Sequence, residues 1–173
     1  MQSYIWELPF GQRGRWLKAG AGRWLLGDWQ CNGIFTAQTG DPLNFTFSAT
    51  TLNAPGNSNR PNLAGQPEIF ARVGRGEKYF DVTKFSAPAP ATFGNLGRNV
   101  LGGPGFVNLD FSLFRKFPVT ERFAVELRME SFNFTNTPHF NNPNTGFGSA
   151  GFGEVTTAVQ DQRQVQFGLK LMW

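Results

Sequence analysis

The chain has 173 residues, of which 40% are hydrophobic, 15% aromatic and only 16% charged, and its formal net charge is +4 at pH 7. This length allows one domain with a sizeable core, while Lys and Arg residues that are scattered singly argue against nucleic acid as a partner. The single Cys excludes an internal disulfide framework, and no stretch approaches the ~20 apolar residues of a membrane-spanning helix.

The composition favours β-structure with many turns. Twenty-one Gly and eleven Pro residues supply turn chemistry and argue against helices. Aromatic residues are abundant although the mean hydropathy is slightly negative, at -0.31. Alternation of apolar and polar positions produces this combination, so we predict strands with one apolar face.

The first two predicted strands cover residues 4–8 and 25–47. Odd positions of the second segment are mostly apolar and its even positions are mostly polar. The alternation continues through the Thr-Gly-Asp-Pro sequence at 39–42, although Gly-Asp-Pro is a strong breaker. A two-residue hairpin would exchange the faces, so we predict one long, kinked strand, with a three- or five-residue hairpin as the alternative.

Three further strands are predicted at 106–117, 122–134 and 164–173. A tight turn led by Pro118 joins the first two of them. The segments 49–105 and 135–161, rich in Gly, Pro and Asn, are long loops, and loops of this length are usually functional or disordered. Each strand has an apolar row, as in Val165, Phe167, Leu169, Leu171 and Trp173 of the last one.

Alternation of short and very long connections is typical of outer-membrane barrels, which have short periplasmic turns and large outer loops. The strands are about twice the usual ~5–6 residues, as a tilted membrane span requires. We predict that four charged residues of the polar rows face a lumen: Asp110, Glu126, Arg128 and Glu130. Because the smallest membrane barrels have about eight strands, an all-β fold of five strands is part of something larger.

Two other interpretations remain open. A soluble or surface-exposed β-domain for adhesion or glycan binding would bury the same apolar rows in a core. An independent small porin would need additional strands within the long loops.

The stretch "GNLGRNVLGGPGFVNLDFSLFRKFPVTERFAVELRMESFNFTNTPHFNNPN" at 94–144, followed by "RQVQFGLKLMW" at 163–173, resembles the end of Oar-like TonB-dependent receptors of the acidobacterial type. Residues 4–11 and 27–46 are similar to segments just upstream in such receptors. The resemblance implies that residues 1–173 form the last five strands of a 22-stranded transmembrane barrel, with extracellular loops at 49–105 and 135–161. We expect the chain to be truncated, with the signal peptide, the plug and the TonB-contacting segment in a longer parent.

The resemblance also implies a function and partners. The parent receptor would lie in the outer membrane of a Gram-negative bacterium and import a bulky nutrient such as a siderophore, glycan or peptide. Its partners would be outer-membrane lipid, the barrel-assembly machinery, TonB through the missing N-terminal part, and the nutrient. An assembly signal of outer-membrane proteins matches the C-terminus at Gln166, Gly168, Leu171 and Trp173.

No residue pattern indicates catalysis. His139 is the only histidine and has no Cys nearby, so it is a poor candidate for a base or a metal ligand. Cys31 lies in the apolar row of its strand and is expected to pack or face lipid. Glu126 and Glu130 suggest a carboxylate pair, but Arg128 between them favours a solvated network. We therefore expect no enzyme activity, cofactor or metal.

Overall fold

A computed structural model describes residues 1–11, 14–48, 52, 58–159 and 162–173. The chain divides into two compact units, which we call the sheet unit and the loop unit. The sheet unit consists of Met1–Ala37, Val107–Pro138 and Asp161–Trp173, and the loop unit consists of Gln38–Phe106 and His139–Gln160.

The sheet unit contains five strands, numbered along the whole chain: β1 (Gln2–Glu7), β2 (Trp29–Gln38), β7 (Phe106–Pro118), β8 (Ala124–Phe132) and β9 (Gln164–Met172). They are neighbours in the sheet in the order β1-β2-β7-β8-β9. Neighbouring strands are antiparallel in the pairs β1–β2, β7–β8 and β8–β9. Trp29 at the start of β2 lies beside Arg115 near the end of β7, so strand direction alternates across the whole sheet.

The predicted tight turn between the third and fourth strands is confirmed, one residue later than expected. Pro118 is the last residue of β7, and the turn is closed by hydrogen bonds from the Val119 and Thr120 N–H groups to the Phe123 carbonyl, at 2.8 and 3.0 Å. The Thr120 hydroxyl oxygen accepts from the Phe123 N–H at 3.0 Å. The turn therefore satisfies its own backbone groups without a longer loop.

The predicted long, kinked strand at 25–47 is wrong, and so is the alternative of a hairpin at 39–42. Strand β2 ends at Gln38, and the chain then enters the loop unit, where the Leu43 N–H donates to the Leu101 carbonyl at 2.8 Å. Leu43 and Phe45 are buried there. These two residues alternate with polar ones because they are buried in a second core. Sequence periodicity alone cannot distinguish such burial from the apolar face of a continuing strand.

A short helix was also not expected from the composition. Helix α1 covers Gly20–Leu26 in the sheet unit and ends where the Gly27 N–H donates to the Arg23 carbonyl at 2.9 Å. The Trp29 indole N–H donates to the Leu25 carbonyl at 3.0 Å and so satisfies a second free group at this end. Among the described residues, no helix has the length and apolarity needed to cross a bilayer.

The loop unit has a core of its own, built mainly from phenylalanine. The rings of Phe45, Phe80, Phe85 and Phe152 contact one another with centroids 5.0–6.2 Å apart. Short strands surround this core as two pairs, β3 (Phe47–Ser48) with β4 (Ser58–Asn59), and β5 (Asn62–Leu63) with β6 (Phe85–Ser86), and a 3-10 turn covers Val82–Lys84. In their described parts, the two long connecting segments are thus packed together.

An ion pair stabilises the edge of this core. The Lys78 ammonium donates to a Glu154 carboxylate oxygen and to the Phe152 carbonyl, each at 2.9 Å. The hydrogen bond from Lys78, and next the one from the Gly76 backbone, hold the pKa of Glu154 below its ordinary value of 4.5. The carboxylate form therefore contributes to the stability of the folded unit.

We predict that Phe80→Ala destabilises the loop unit by about 3–5 kcal/mol, because its side chain is 0% exposed and its removal leaves a cavity among three other rings. Near-UV circular dichroism during denaturation of the full chain in detergent measures this loss. Phe93→Ala is the matched control, since Phe93 is 68% exposed and its truncation should cost less than about 0.5 kcal/mol. Equal destabilisation by the two substitutions would contradict the assigned core.

We predict that acid weakens the loop unit from about pH 4.5 downward. The pKa of Glu154 is lowered in the folded state, so the unfolded chain takes up this proton first and stability is lost as pH falls through the folded pKa. Melting temperature measured against pH should fall less steeply in Glu154→Gln. Lys78→Gln removes the principal donor and should flatten the curve in the same way; an unchanged slope in both variants would refute this role.

Candidate functional site: the two faces of the sheet unit

Strand register brings the predicted charged residues onto one face of the sheet. Three cross-strand rows define this polar face across β7, β8 and β9: Lys116–Glu126–Lys170, Phe114–Arg128–Gly168 and Ser112–Glu130–Gln166. Side chains two residues apart on a strand lie on the same side. The polar face is therefore a grid of charged and amide groups.

The charges on the polar face form one connected network. Glu126 forms ion pairs with two cations, with Lys116 Nζ at 3.8 Å and Arg128 Nε at 3.4 Å. Arg128 Nη1 also lies 3.7 Å from Glu130, whose carboxylate accepts from the Gln166 amide. Glu126 is only 8% exposed, whereas the side chains of its partners Lys116 and Arg128 are 68% and 46% exposed. The network therefore joins a buried carboxylate to cations that reach water.

The Arg128 side chain packs beside Gly168, and a Cβ at that position would fit. A Cβ at Gly168 would lie 3.6–3.9 Å from the Cβ, Cδ and Cγ atoms of Arg128, at ordinary contact distance. On its other side, the guanidinium lies 5.0 Å from the centroid of the Phe114 ring, a favourable cation–π distance. Arg128 thus spans three strands and joins the two glutamates that the sequence suggested as a pair.

Asp110, the fourth predicted lumen residue, is separate from this network. Its carboxylate accepts from the Asn108 side chain and from the Asn133 N–H, both at 3.0 Å. Asn133 has a left-handed backbone, with φ of 49°, and its side-chain oxygen accepts from the Thr137 N–H at 3.0 Å. Asp110 therefore fixes the chain where it leaves β8, a structural role.

The opposite face of the sheet is apolar and exposed. Its cross-strand rows include Phe117–Val125–Leu171 and Leu113–Met129–Phe167, and Phe167 is 80% exposed. Cys31, a half-buried free thiol, and Trp6 form a pair across β1 and β2. Adjacent exposed apolar rows across β7, β8 and β9 are unusual for a soluble monomer.

Arg115 is a charged residue on the apolar face, and the sequence pattern did not indicate its role. Its side chain is only 6% exposed, lies over the Phe117 and Trp29 rings at 4.3 and 5.9 Å, and donates through Nη2 to the Arg23 carbonyl at 3.5 Å. It also lines a cavity of about 650 Å³ in the sheet unit. The sequence feature that could have identified Arg115 is a positive charge in an otherwise apolar row of the strand.

The residues of the proposed assembly signal divide between the faces of β9. Gln166 and Gly168 lie on the polar face and Leu171 lies on the apolar face. Trp173 follows the end of β9, where Met172 pairs with Ala124, and is 88% exposed. Other aromatic residues occur at the same end of the strands as the tight turn, including Phe10, Trp16, Trp24, Phe117 and Phe123.

The remaining chemical candidates lie apart from one another. His139 is buried in the loop unit, with its ring centroid 4.2 Å from that of Phe106. Within the described ranges, no group of three His, Cys, Asp or Glu residues has the arrangement to hold a metal ion. Glu126 and Glu130 are bridged by Arg128, which makes them parts of the charge network.

The chain was compared with known families, and the family that it matches is consistent with an antiparallel sheet that has one apolar and one charged face. Residues 1–166 match the model of a family described as an outer membrane beta barrel domain. No curated protein and no solved structure matches the chain. The match covers nearly the whole sequence and places the protein in the outer membrane of a Gram-negative bacterium, in association with its lipid. The chain belongs to the outer membrane beta barrel domain family.

Proposed function

We propose that this chain is the C-terminal part of an Oar-like TonB-dependent receptor, whose complete barrel imports a bulky nutrient such as a siderophore, glycan or peptide. The observation that carries the proposal is the five-stranded sheet itself, with an exposed apolar face, a charged face and two edge strands, β1 and β9. In lipid these edges require partners, because unpaired backbone groups cost several kcal/mol each.

Strand direction supports a larger barrel. Because the five strands alternate, β1 and β9 run in the same direction. Fully antiparallel closure therefore requires an odd number of additional strands. A barrel with an even number of strands, such as the 22-stranded one that the sequence resemblance implies, contains an odd number of strands besides these five.

In the proposed barrel, the polar face lines the lumen. Glu126, Arg128 and Glu130, together with Lys116, would face water, and the apolar rows that include Phe167 and Leu171 would face lipid. This arrangement matches the usual alternation of outer-membrane strands. The chain would be non-catalytic and would need the plug and the remaining strands for uptake, with TonB contacting the N-terminal part of the parent.

The proposed orientation follows from the connections between strands. The tight turn at 119–123 would be periplasmic, because periplasmic turns are short in these barrels. The segments of the loop unit join strand ends opposite to this turn and would be extracellular. The separate aromatic core of the loop unit also favours the second candidate function, a surface β-domain for adhesion or glycan binding.

An antibody against the loop unit tests both the parent protein and the orientation. We expect it to label intact source cells at their surface, and to detect in their outer membrane a polypeptide several times larger than the 19.2 kDa of this chain. Antibody against a periplasmic protein is the control for cell integrity. A surface band of 19.2 kDa alone would support the stand-alone alternatives, and labelling only after lysis would refute the orientation.

A further prediction concerns the C-terminal residue. Trp173→Ser should reduce the amount of protein in the outer-membrane fraction several-fold, because the terminal aromatic residue is proposed to be read by the barrel-assembly machinery. Trp173 is 88% exposed, so its loss should affect assembly more than folded-state packing. Trp24→Ser changes an exposed tryptophan at the same end and should assemble normally. Equal membrane levels of Trp173→Ser and the unchanged chain would count against this signal.

A further inference from the structure

The loop unit contains a groove that the proposed barrel architecture does not require. Its volume is about 340 Å³, and it is lined by Asn59, Arg60, Phe93, Gly94, Leu96 and Arg98. The groove lies between two chain segments, 59–63 and 92–96, that are distant in sequence. Its shape therefore depends on how these segments are held together.

A buried asparagine fixes the base of the groove. Asn59 accepts through its side-chain oxygen from the Arg60 N–H at 2.7 Å and from the Gly94 N–H at 3.1 Å. Its amide nitrogen donates to the Thr92 carbonyl at 3.0 Å. One side chain thus satisfies three backbone groups across the two segments, as buried polar groups require.

Two further asparagines and a glycine extend this connection. Asn62 accepts from the Asn95 N–H at 3.0 Å, and Asn95 accepts from the Leu63 N–H at 2.7 Å. A Cβ at Gly94 would lie 2.0 Å from the Arg60 carbonyl oxygen, so only glycine allows this approach of the backbones. The groove is preformed, which lowers the cost of ordering it when a ligand binds.

Among the residues that the structure describes, no acidic side chain pairs with the positive charge of the groove. Arg60 and Arg98 both line it, and none of the other lining residues is acidic. In the part of the chain that the structure describes, neither arginine forms an ion pair, whereas Lys78 pairs with Glu154 at 2.9 Å. The guanidinium of Arg60 makes a 3.5 Å contact with the Leu96 carbonyl. Arginine recognises carboxylate and phosphate through its fork of donors.

An exposed aromatic ring lies beside these cations. Phe93 is 68% exposed although it lines a mainly polar groove. Its ring offers an apolar surface on which the flat face of a ligand ring can pack, while the arginines bind an anionic substituent. Ligand sites commonly combine an apolar wall with a few polar groups that fix orientation.

We propose that this groove binds a sugar ring bearing a carboxylate or a phosphate, with Arg60 and Arg98 binding the anion and Phe93 packing against the ring. The inference rests on the proposed function in that it names the chemical class of the extracellular ligand. Sugar binding by the groove would not require the plug, TonB or closure of the barrel.

The test is binding by the purified full chain in detergent micelles, titrated with galacturonic acid, glucose 6-phosphate and glucose. We expect saturable binding of at least one of the two anionic sugars and at least about tenfold weaker binding of glucose. The two anionic probes distinguish a carboxylate from a phosphate. Raising the salt concentration should weaken binding of the anionic sugars, because their charge is screened.

Variants assign the binding to the groove. Arg98→Gln should weaken binding of the anionic sugar about tenfold, and Phe93→Ala should weaken it several-fold, with unchanged near-UV circular dichroism in both. Arg75→Gln is the control, because it removes the same charge from an exposed position of the loop unit that does not line the groove. We expect it to bind like the unchanged chain.

Three results would overturn the proposal: no saturable binding of either anionic sugar, equal binding of glucose, or unchanged affinity in both Arg98→Gln and Phe93→Ala. Its failure is distinguishable from failure of the proposed receptor function. If a 19.2 kDa surface protein binds the anionic sugar, the proposed receptor function is refuted and the proposed sugar binding by the groove stands. If the chain proves to be part of a large surface receptor but binds no anionic sugar, the receptor function stands and the proposed binding groove is refuted.

Discussion

Backbone hydrogen bonding at the edges of the sheet is the constraint on which the rest of this protein depends. In water an edge strand can bond to solvent, but in hydrocarbon every N–H and C=O group needs a partner within the protein. Strand β9 is long, apolar on one face and located at the sheet edge, and β1 is located at the other edge. In a family whose members lie in the outer membrane, the backbone groups of these two edges need pairing partners wherever the sheet meets hydrocarbon.

The membrane environment also explains the separation of charge across the sheet. Each strand has side chains on both faces, and one face must tolerate lipid while the other tolerates water. Glu126, Arg128 and Glu130 share one face with Lys116 and Gln166, where ion pairs and a hydrogen bond connect them. Arg115 is the cation on the apolar face, and aromatic rings and the Arg23 carbonyl shield it from that environment.

The loop unit follows a different rule. It has few residues in regular strands, so its stability comes from a cluster of phenylalanine rings and from asparagine side chains that bond to backbone groups. Such asparagines replace a strand ladder where the chain turns too often to form one. Long segments rich in Gly, Pro and Asn can therefore have a defined surface, including a groove with two arginines and an exposed ring.

Local alternation of apolar and polar residues determined the strands β7, β8 and β9, their faces, and the tight turn between β7 and β8, because period-two patterning acts within each strand. It did not determine where β2 ends, since Leu43 and Phe45 continue the alternation while packing in another core. The spacing of Glu126, Arg128 and Glu130 on one strand already placed these charges side by side. Tertiary structure alone decided that Asp110 bonds to the backbone after β8, and that Arg60, Phe93 and Arg98 share a groove. These contacts depend on register and on the meeting of distant segments, neither of which is encoded in the spacing of neighbouring residues.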